Sequence, residues 1–127
     1  MMKILIIEDD PASLKLTSDV LQGGGHVVML ATTADQAIYS ISAVRPDVIP
    51  LDLRLPGIKG TAVAGQCREE PDTRNIPIIA VTSFSEEYGK AEALKAGCDA
   101  YIVKPINTRT LLQQIEDVVA VKAQASV

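Results

Sequence analysis

The sequence lacks an excess of positive charge. Its 127 residues include 12 lysine and arginine residues against 16 aspartate and glutamate residues, which gives a net charge of -4. This balance argues against a general nucleic-acid surface or an anionic-membrane surface. The apolar share of 47% and the charged share of 22% are typical of a compact globular protein. We expect one domain over residues 1–127, with a frayed tail at 122–127 and no output domain.

Long hydrophobic runs and paired cysteines are absent as well. The N-terminal stretch "MMKILIIEDD" holds a four-residue apolar run, which is too short for a signal peptide, and no stretch approaches the length of a membrane-spanning helix. Cys67 and Cys98 have no CxxC motif and no histidine nearby. They are therefore interpreted as free thiols in a reducing compartment. We expect a soluble cytoplasmic domain that contacts neither nucleic acid nor membrane directly.

Five short apolar runs recur along the chain, and stretches with helical periodicity separate them. Because the runs are continuous rather than alternating, they predict strands covered on both faces of a parallel sheet. The βα alternation, repeated five times, predicts an α/β fold with a doubly wound sheet and helices on both faces. The runs are "KILIIE", "HVVML", "DVIPLD", "IPIIAVT" and "AYIVKP".

The first helical stretch, 12–23, has clear signals at both ends. Asp10 is a good N-cap followed by a proline at the first helical position, and the triple glycine at 23–25 ends the helix. Metal binding by Asp10 is the alternative interpretation. The other helices are predicted at Thr33–Val44, Thr61–Glu69, Ser85–Ala96 and after Asn107.

Polar and charged residues stand at the ends of four of the five predicted strands. They are Glu8-Asp9-Asp10, Asp52, Thr82-Ser83 and Lys104-Pro105. Ligands of such sheets bind beyond the carboxyl ends of the strands. Clustered carboxylates without histidine or cysteine suit a hard cation such as Mg²⁺. With a lysine and a hydroxyl beside them, they predict a site for a dianionic group, where an aspartate could act as nucleophile toward phosphorus.

Four stretches and their spacing carry a family resemblance: "ILIIEDDP", "LDLRLPGIKG", "IIAVTS" and "AGCDAYIVKPI". They resemble the receiver domain of two-component response regulators over essentially the whole chain. The resemblance implies a flavodoxin-like (βα)5 three-layer sandwich with strand order 2-1-3-4-5. It also implies a switch rather than an enzyme, although such a domain assists its own phosphorylation and dephosphorylation.

The resemblance also implies roles for the residues at the strand ends. Asp52 would accept a phosphoryl group from a phosphohistidine of a histidine kinase or a histidine phosphotransfer protein. Asp9 would bind Mg²⁺ directly and Glu8 through water, and Asp52 and the backbone carbonyl of Arg54 would complete the protein ligands.

The remaining implied roles concern the switch. Thr82 would hydrogen-bond the phosphoryl oxygen, Lys104 would pair with it, and Tyr101 matches an aromatic residue that turns inward. The Lys104-Pro105 peptide bond would be cis. An effector protein would bind the face made by the fourth helix, fifth strand and fifth helix. Relay of phosphate to a histidine and formation of a homodimer stay open.

Two features are unusual against the family pattern. Pro50 stands where most receivers have an aliphatic residue, and a proline removes a donor from a central strand. We expect a missing ladder bond, a bulge or a water at Pro50, with local distortion that leaves Asp52 in its place. Arg54 and Phe84 occupy positions that tune loss of the phosphoryl group, and their bulk predicts a long-lived phospho-form.

Two other functions remain as alternatives. An Asp-nucleophile phosphatase of the haloacid-dehalogenase type would need an aspartate at position 54, where this chain has Arg54. A pseudo-receiver, a binding module that keeps the fold without phosphorylation, is left open by Pro50. The acidic pair, Thr82 and Lys104 argue against it.

Overall fold

Five strands alternate with five helices in the computed structural model, which describes residues 1–83 and 89–125. The helix and strand types match the sequence prediction throughout these residues. Phe84 and the predicted start of the fourth helix at Ser85 lie outside them. The elements are β1 (Lys3–Ile7), α1 (Pro11–Gly23), β2 (Val27–Ala31), α2 (Ala34–Val44), β3 (Ile49–Leu51), α3 (Gly60–Glu69), β4 (Ile78–Thr82), α4 (Lys90–Ala96), β5 (Ala100–Val103) and α5 (Leu111–Ala125).

The strands form one parallel sheet in the order β2-β1-β3-β4-β5, as predicted. Helices cover both faces. One core cluster joins the sheet to residues of α2, α3 and α4, and the other joins it to residues of α1 and α5. Burial on both faces explains why the strands appear in the sequence as continuous apolar runs. The predicted three-layer architecture is confirmed.

The helix ends follow their capping residues. Asp10 accepts a hydrogen bond from the backbone N–H of Ser13 at 2.9 Å, so it is the N-cap of α1, with Pro11 as the first helical residue. Thr33 caps α2 in the same way by accepting from Gln36 N–H at 3.2 Å. At the end of α4, Gly97 adopts φ 114°, a left-handed conformation that favours glycine.

The predicted frayed tail from residue 122 is wrong for residues 122–125, which continue α5 to Ala125. Lys122 explains why, because its Nζ donates to Asp99 Oδ1 at 2.9 Å and holds the last helical turn against the start of β5. Among the described residues, no helix combines the length and apolar character needed to cross a bilayer.

Pro50 lies inside β3 without a bulge. The pairs on either side of it, Ile4↔Val48 and Ile7↔Leu51, keep the same register between β1 and β3. On its other edge, β3 pairs with β4 in an unbroken register that includes Pro50 itself. The strand therefore tolerates the proline at the cost of ladder bonding to β1, and the alternative of a bulge is excluded.

Candidate functional site

Side chains from four strand ends meet at one edge of the sheet. Glu8 follows β1, Asp52 follows β3, Thr82 ends β4 and Lys104 follows β5. Because the strands are parallel and neighbouring, their carboxyl ends lie side by side and bring these residues together. The structure thus unites residues that are up to 96 positions apart in the sequence.

Asp52 is the centre of this cluster and is only 6% exposed. Its Oδ1 accepts hydrogen bonds from Thr82 Oγ1 at 3.0 Å and from the backbone N–H of Arg54 at 2.8 Å. Its Oδ2 accepts from Lys104 Nζ at 2.7 Å. Asp52 has therefore not swung away from the site, as expected despite Pro50.

Lys104 joins the two buried carboxyl groups. Its Nζ also donates to Glu8 Oε1, while Glu8 Oε2 accepts from the backbone N–H of Asp10 at 3.3 Å. Burial, followed by the proximity of Asp52, raises the pKa of Glu8 to about 7. Burial acts to raise the pKa of Asp52 too, but hydrogen bonding with Glu8 and Lys104 outweighs it, and the pKa falls below its usual value. Asp52 therefore ionises at a lower pH than Glu8.

Three carboxyl groups are arranged so that they could hold a metal ion. One oxygen each from Glu8, Asp9 and Asp52 lies within 4.8 Å of the others. Glu8 and Asp52 are buried, whereas Asp9 is exposed and leaves one side of the cluster open to solvent. An all-oxygen donor set with an open side suits Mg²⁺, which keeps several of its waters. The residues present therefore fit the predicted cation.

The other predicted site residues lie around this cluster. The Lys104-Pro105 bond is cis, as the resemblance implies. Tyr101 is half-buried and packs against the core on the side of α2, α3 and α4. Arg54 is exposed, and its N–H points to Asp52. The roles of its carbonyl as a metal ligand and of Tyr101 in switching stay predictions.

A close backbone contact behind Asp52 was not predicted from the sequence. Gly60, the first residue of α3, donates its N–H to the carbonyl of Leu53 at 3.0 Å. A Cβ at this position would come within 2.6 Å of the carbonyl oxygen of Asp52 and of Leu53 Cα. Gly60, the second glycine of "LPGIKG", was the available signal, since glycine often marks a close approach of two backbone segments.

A cluster of charged side chains at the amino ends of β4 and β5 was also not predicted from the sequence. Arg68 donates from Nη2 to Asp99 Oδ2 at 2.8 Å and from Nε to the carbonyl of Gly97 at 2.9 Å. Asp99 also accepts from the N–H of Ile78 at 2.9 Å and from Lys122. No motif or periodicity connects these positions, so only the folded chain reveals the cluster.

Comparisons with known proteins agree with the fold. A family model described as the response regulator receiver domain matches residues 4–116. The polar-differentiation response regulator DivK of Brucella anthropi is 30% identical over 113 residues, which are 89% of this chain and 92% of that protein.

Solved structures of receiver domains match this chain as well. A CheY-like response regulator receiver domain protein of Methanospirillum hungatei matches with a TM-score of 0.89 and 30% identity over 98% of each chain. The receiver domain of a sensor histidine kinase from Pseudomonas aeruginosa has a magnesium ion coordinated in its active-site cleft. It matches with a TM-score of 0.86 and 28% identity, over 94% of this chain and 98% of that chain.

Proposed function

The chain belongs to the response regulator receiver domain family of two-component signalling, and on that premise we propose that Asp52 accepts a phosphoryl group from a phosphohistidine. The donor is a histidine kinase or a histidine phosphotransfer protein. The observation that carries this proposal is the state of Asp52, which is buried, held by Thr82 and Lys104, and ionised at neutral pH. The cytoplasm, where such response regulators usually operate, is the proposed setting.

The transfer exchanges one bond to phosphorus for another. A carboxylate oxygen of Asp52 attacks phosphorus, the P–N bond to the donor histidine breaks, and its electron pair stays on the imidazole, which then takes a proton. Asp52 becomes an acyl phosphate. Lys104 lies 2.7 Å from Asp52 and supplies positive charge next to the arriving group. The Thr82 hydroxyl is free to turn from Asp52 to a phosphoryl oxygen.

Receiver domains bind Mg²⁺ at such an acidic pocket, and we propose the same for this chain. Asp9 and Asp52 would hold the ion directly, Glu8 would hold it through water, and the carbonyl of Arg54 would complete the set. When bound, Mg²⁺ supplies positive charge beside the phosphoryl oxygens. The cluster of Glu8, Asp9 and Asp52 supports this assignment.

Output would pass through the face made by α4, β5 and α5. Each of these elements exposes an apolar side chain, with Leu94 43%, Val103 43% and Val121 65% exposed. Movement of Thr82 and Tyr101 after phosphorylation would alter this face, and an effector protein would read the change.

Intact-mass measurement tests the proposal. The native protein, an Asp52→Asn variant and an Asp35→Asn control are incubated with Mg²⁺ and acetyl phosphate. Asp35 is exposed on α2 and does not belong to the carboxylate cluster of Glu8, Asp9 and Asp52. We expect a phosphate adduct on the native protein and on the control, but none on Asp52→Asn. Continuous turnover of unrelated phosphate esters would instead indicate a phosphatase, and absence of any adduct would indicate a pseudo-receiver.

A further inference from the structure

Pro50 removes one rung from the backbone ladder between β1 and β3. On either side of it, Leu5 N–H donates to the carbonyl of Val48 at 3.2 Å and Asp52 N–H donates to the carbonyl of Ile7 at 2.9 Å. In this parallel alternation, the N–H of residue 50 would donate to the carbonyl of Leu5. Proline has no N–H, so the rung is lost directly below Asp52.

The loss affects only one edge of β3. On the β4 side, the register runs unbroken from Ile49↔Ile78 to Leu51↔Ala80, and Ile49 N–H donates to the carbonyl of Pro77 at 2.9 Å. β3 thus keeps its ladder toward β4, which carries Thr82, and lacks one rung toward β1, while Asp52 itself still bonds to the carbonyl of Ile7. We refer to the β1–β3 boundary at Pro50 as the β1–β3 seam.

The three clustered carboxyl groups lie across this seam. Glu8 and Asp9 follow β1, while Asp52 follows β3. The present spacing of Glu8 and Asp52 accommodates the ammonium group of Lys104, which bonds to both. A divalent cation between the same strands requires near-ideal octahedral distances that differ from those around an ammonium group. The carboxylate oxygens must therefore change their spacing when the cation binds.

Room for that adjustment lies under the carboxyl groups. A cavity of about 10 Å³ is lined by Pro50, Glu8, Asp52 and Thr17 together with Ile6, Ile7 and Val81. Protein interiors are otherwise packed closely enough to transmit any displacement. The gap and the missing rung both lie at Pro50, next to the carboxyl groups of Glu8 and Asp52.

We propose that Pro50 is a positioning residue that allows Asp52 to move relative to Glu8 and Asp9 when Mg²⁺ binds across the β1–β3 seam. Restoring the amide at position 50 adds the missing rung. The same rung holds the seam at the spacing that suits Lys104, so it weakens Mg²⁺ binding. The inference rests on the proposed Mg²⁺ role of the site.

Two substitutions distinguish the effect of restoring the amide from the effect of changing the side-chain volume at position 50. Pro50→Ala and Pro50→Val both restore the N–H, whereas only valine also fills the cavity. Isothermal titration with MgCl₂ measures affinity, thermal unfolding measures stability, and hydrogen exchange at the amide of residue 50 shows whether the rung forms. Pro77→Ala, which changes a proline on the β4 side of β3, is the control.

We expect both variants to bind Mg²⁺ about fivefold more weakly, which is the effect of one net hydrogen bond on an equilibrium constant. Pro77→Ala should bind Mg²⁺ as the native protein does. A merely structural role would raise stability without weakening binding, and that result overturns the inference. Weakening in Pro50→Val alone also overturns it, because the filling of the cavity by the valine side chain would then be the cause. If the native protein binds no Mg²⁺, the proposed function fails with it.

Discussion

Asp52 combines burial with an ionised carboxylate, and its neighbours explain the combination. Burial alone would favour the neutral acid, but Lys104, Thr82 and the N–H of Arg54 all donate to its two oxygens. Glu8 beside it is the group whose pKa rises to about 7. Asp52, the residue that would attack phosphorus, therefore ionises at a lower pH than Glu8. This division between two carboxyl groups depends on distances that the sequence alone does not reveal.

Gly60 offers a test of how closely the backbone must pack behind Asp52. In Gly60→Ala, the new Cβ would clash at 2.6 Å with the backbone of Asp52 and Leu53, neither of which can move cheaply. We expect a loss of about 1–3 kcal/mol in the free energy of unfolding, the usual cost of overpacking. Less phosphate adduct should also form on Asp52. Denaturant unfolding and intact mass measure the two effects.

Gly65→Ala is the matched control in the same helix. A Cβ at Gly65 would meet nothing within 4 Å. Removing a glycine from a helix interior should stabilise α3 by up to about 1 kcal/mol. Equal effects of the two substitutions would contradict a steric role for Gly60.

Cys98 should be unreactive in the folded protein. Burial raises the pKa of its thiol to about 12. At pH 8 its thiolate fraction is therefore more than about a thousandfold below that of a free cysteine with pKa about 8.5. We expect slow alkylation of native Cys98 by iodoacetamide and rapid alkylation in guanidinium chloride, followed by peptide mass spectrometry. Rapid labelling of the native thiol would show that the region around Cys98 opens readily.

Among the helices and strands, features that neighbouring residues determine could be predicted from the sequence, and features that depend on distant residues could not. The strands, the cap at Asp10 and the end of α4 at Ala96 were predictable because neighbouring residues determine them. The convergence of the strand ends was also predictable, since a parallel sheet brings them to one edge. The register around Pro50 was not, because a proline is compatible with a bulge or with a lost bond. The helical turn at 122–125 depends on Asp99, more than 20 positions earlier, and so it was predicted wrongly.

The ion cluster around Asp99 should stabilise the junction of α3, α4, β5 and α5. The side chains of Arg68, Asp99 and Lys122 are only 20–23% exposed. Asp99→Ala leaves two cations without their shared acceptor, and we expect it to cost about 1–3 kcal/mol in the free energy of unfolding. Denaturant unfolding provides the measurement.

The exposed pair of Lys15 and Asp19 on α1 serves as the comparison, with side chains 78% and 58% exposed. Asp19→Ala should change the free energy of unfolding by less than about 0.5 kcal/mol, because solvent screens such a pair. If Asp99→Ala were as mild, the cluster would have no stabilising role.

At the scale of the whole molecule, a cation bound only by the folded protein should stabilise all of it. Each tenfold rise of free Mg²⁺ above its dissociation constant should add about 1.4 kcal/mol to the free energy of unfolding. Asp9→Asn removes the exposed carboxylate of the cluster and should reduce this response, whereas Asp35→Asn should keep it. Thermal unfolding across a Mg²⁺ series measures the response. A native response retained in Asp9→Asn would place the cation elsewhere.

The hydrogen bond that Pro50 cannot donate to the carbonyl of Leu5 should also be detectable by vibrational spectroscopy. A backbone carbonyl that lacks an N–H donor stretches at a higher frequency than one in a β-ladder. A carbon-13 label at the carbonyl of Leu5 would therefore report on the β1–β3 seam by isotope-edited infrared spectroscopy. Amide-proton methods cannot observe residue 50 in the native protein, because proline has no amide proton. Pro50 gives no amide-proton signal, but the carbonyl of Leu5 on the neighbouring strand should give a distinct infrared band.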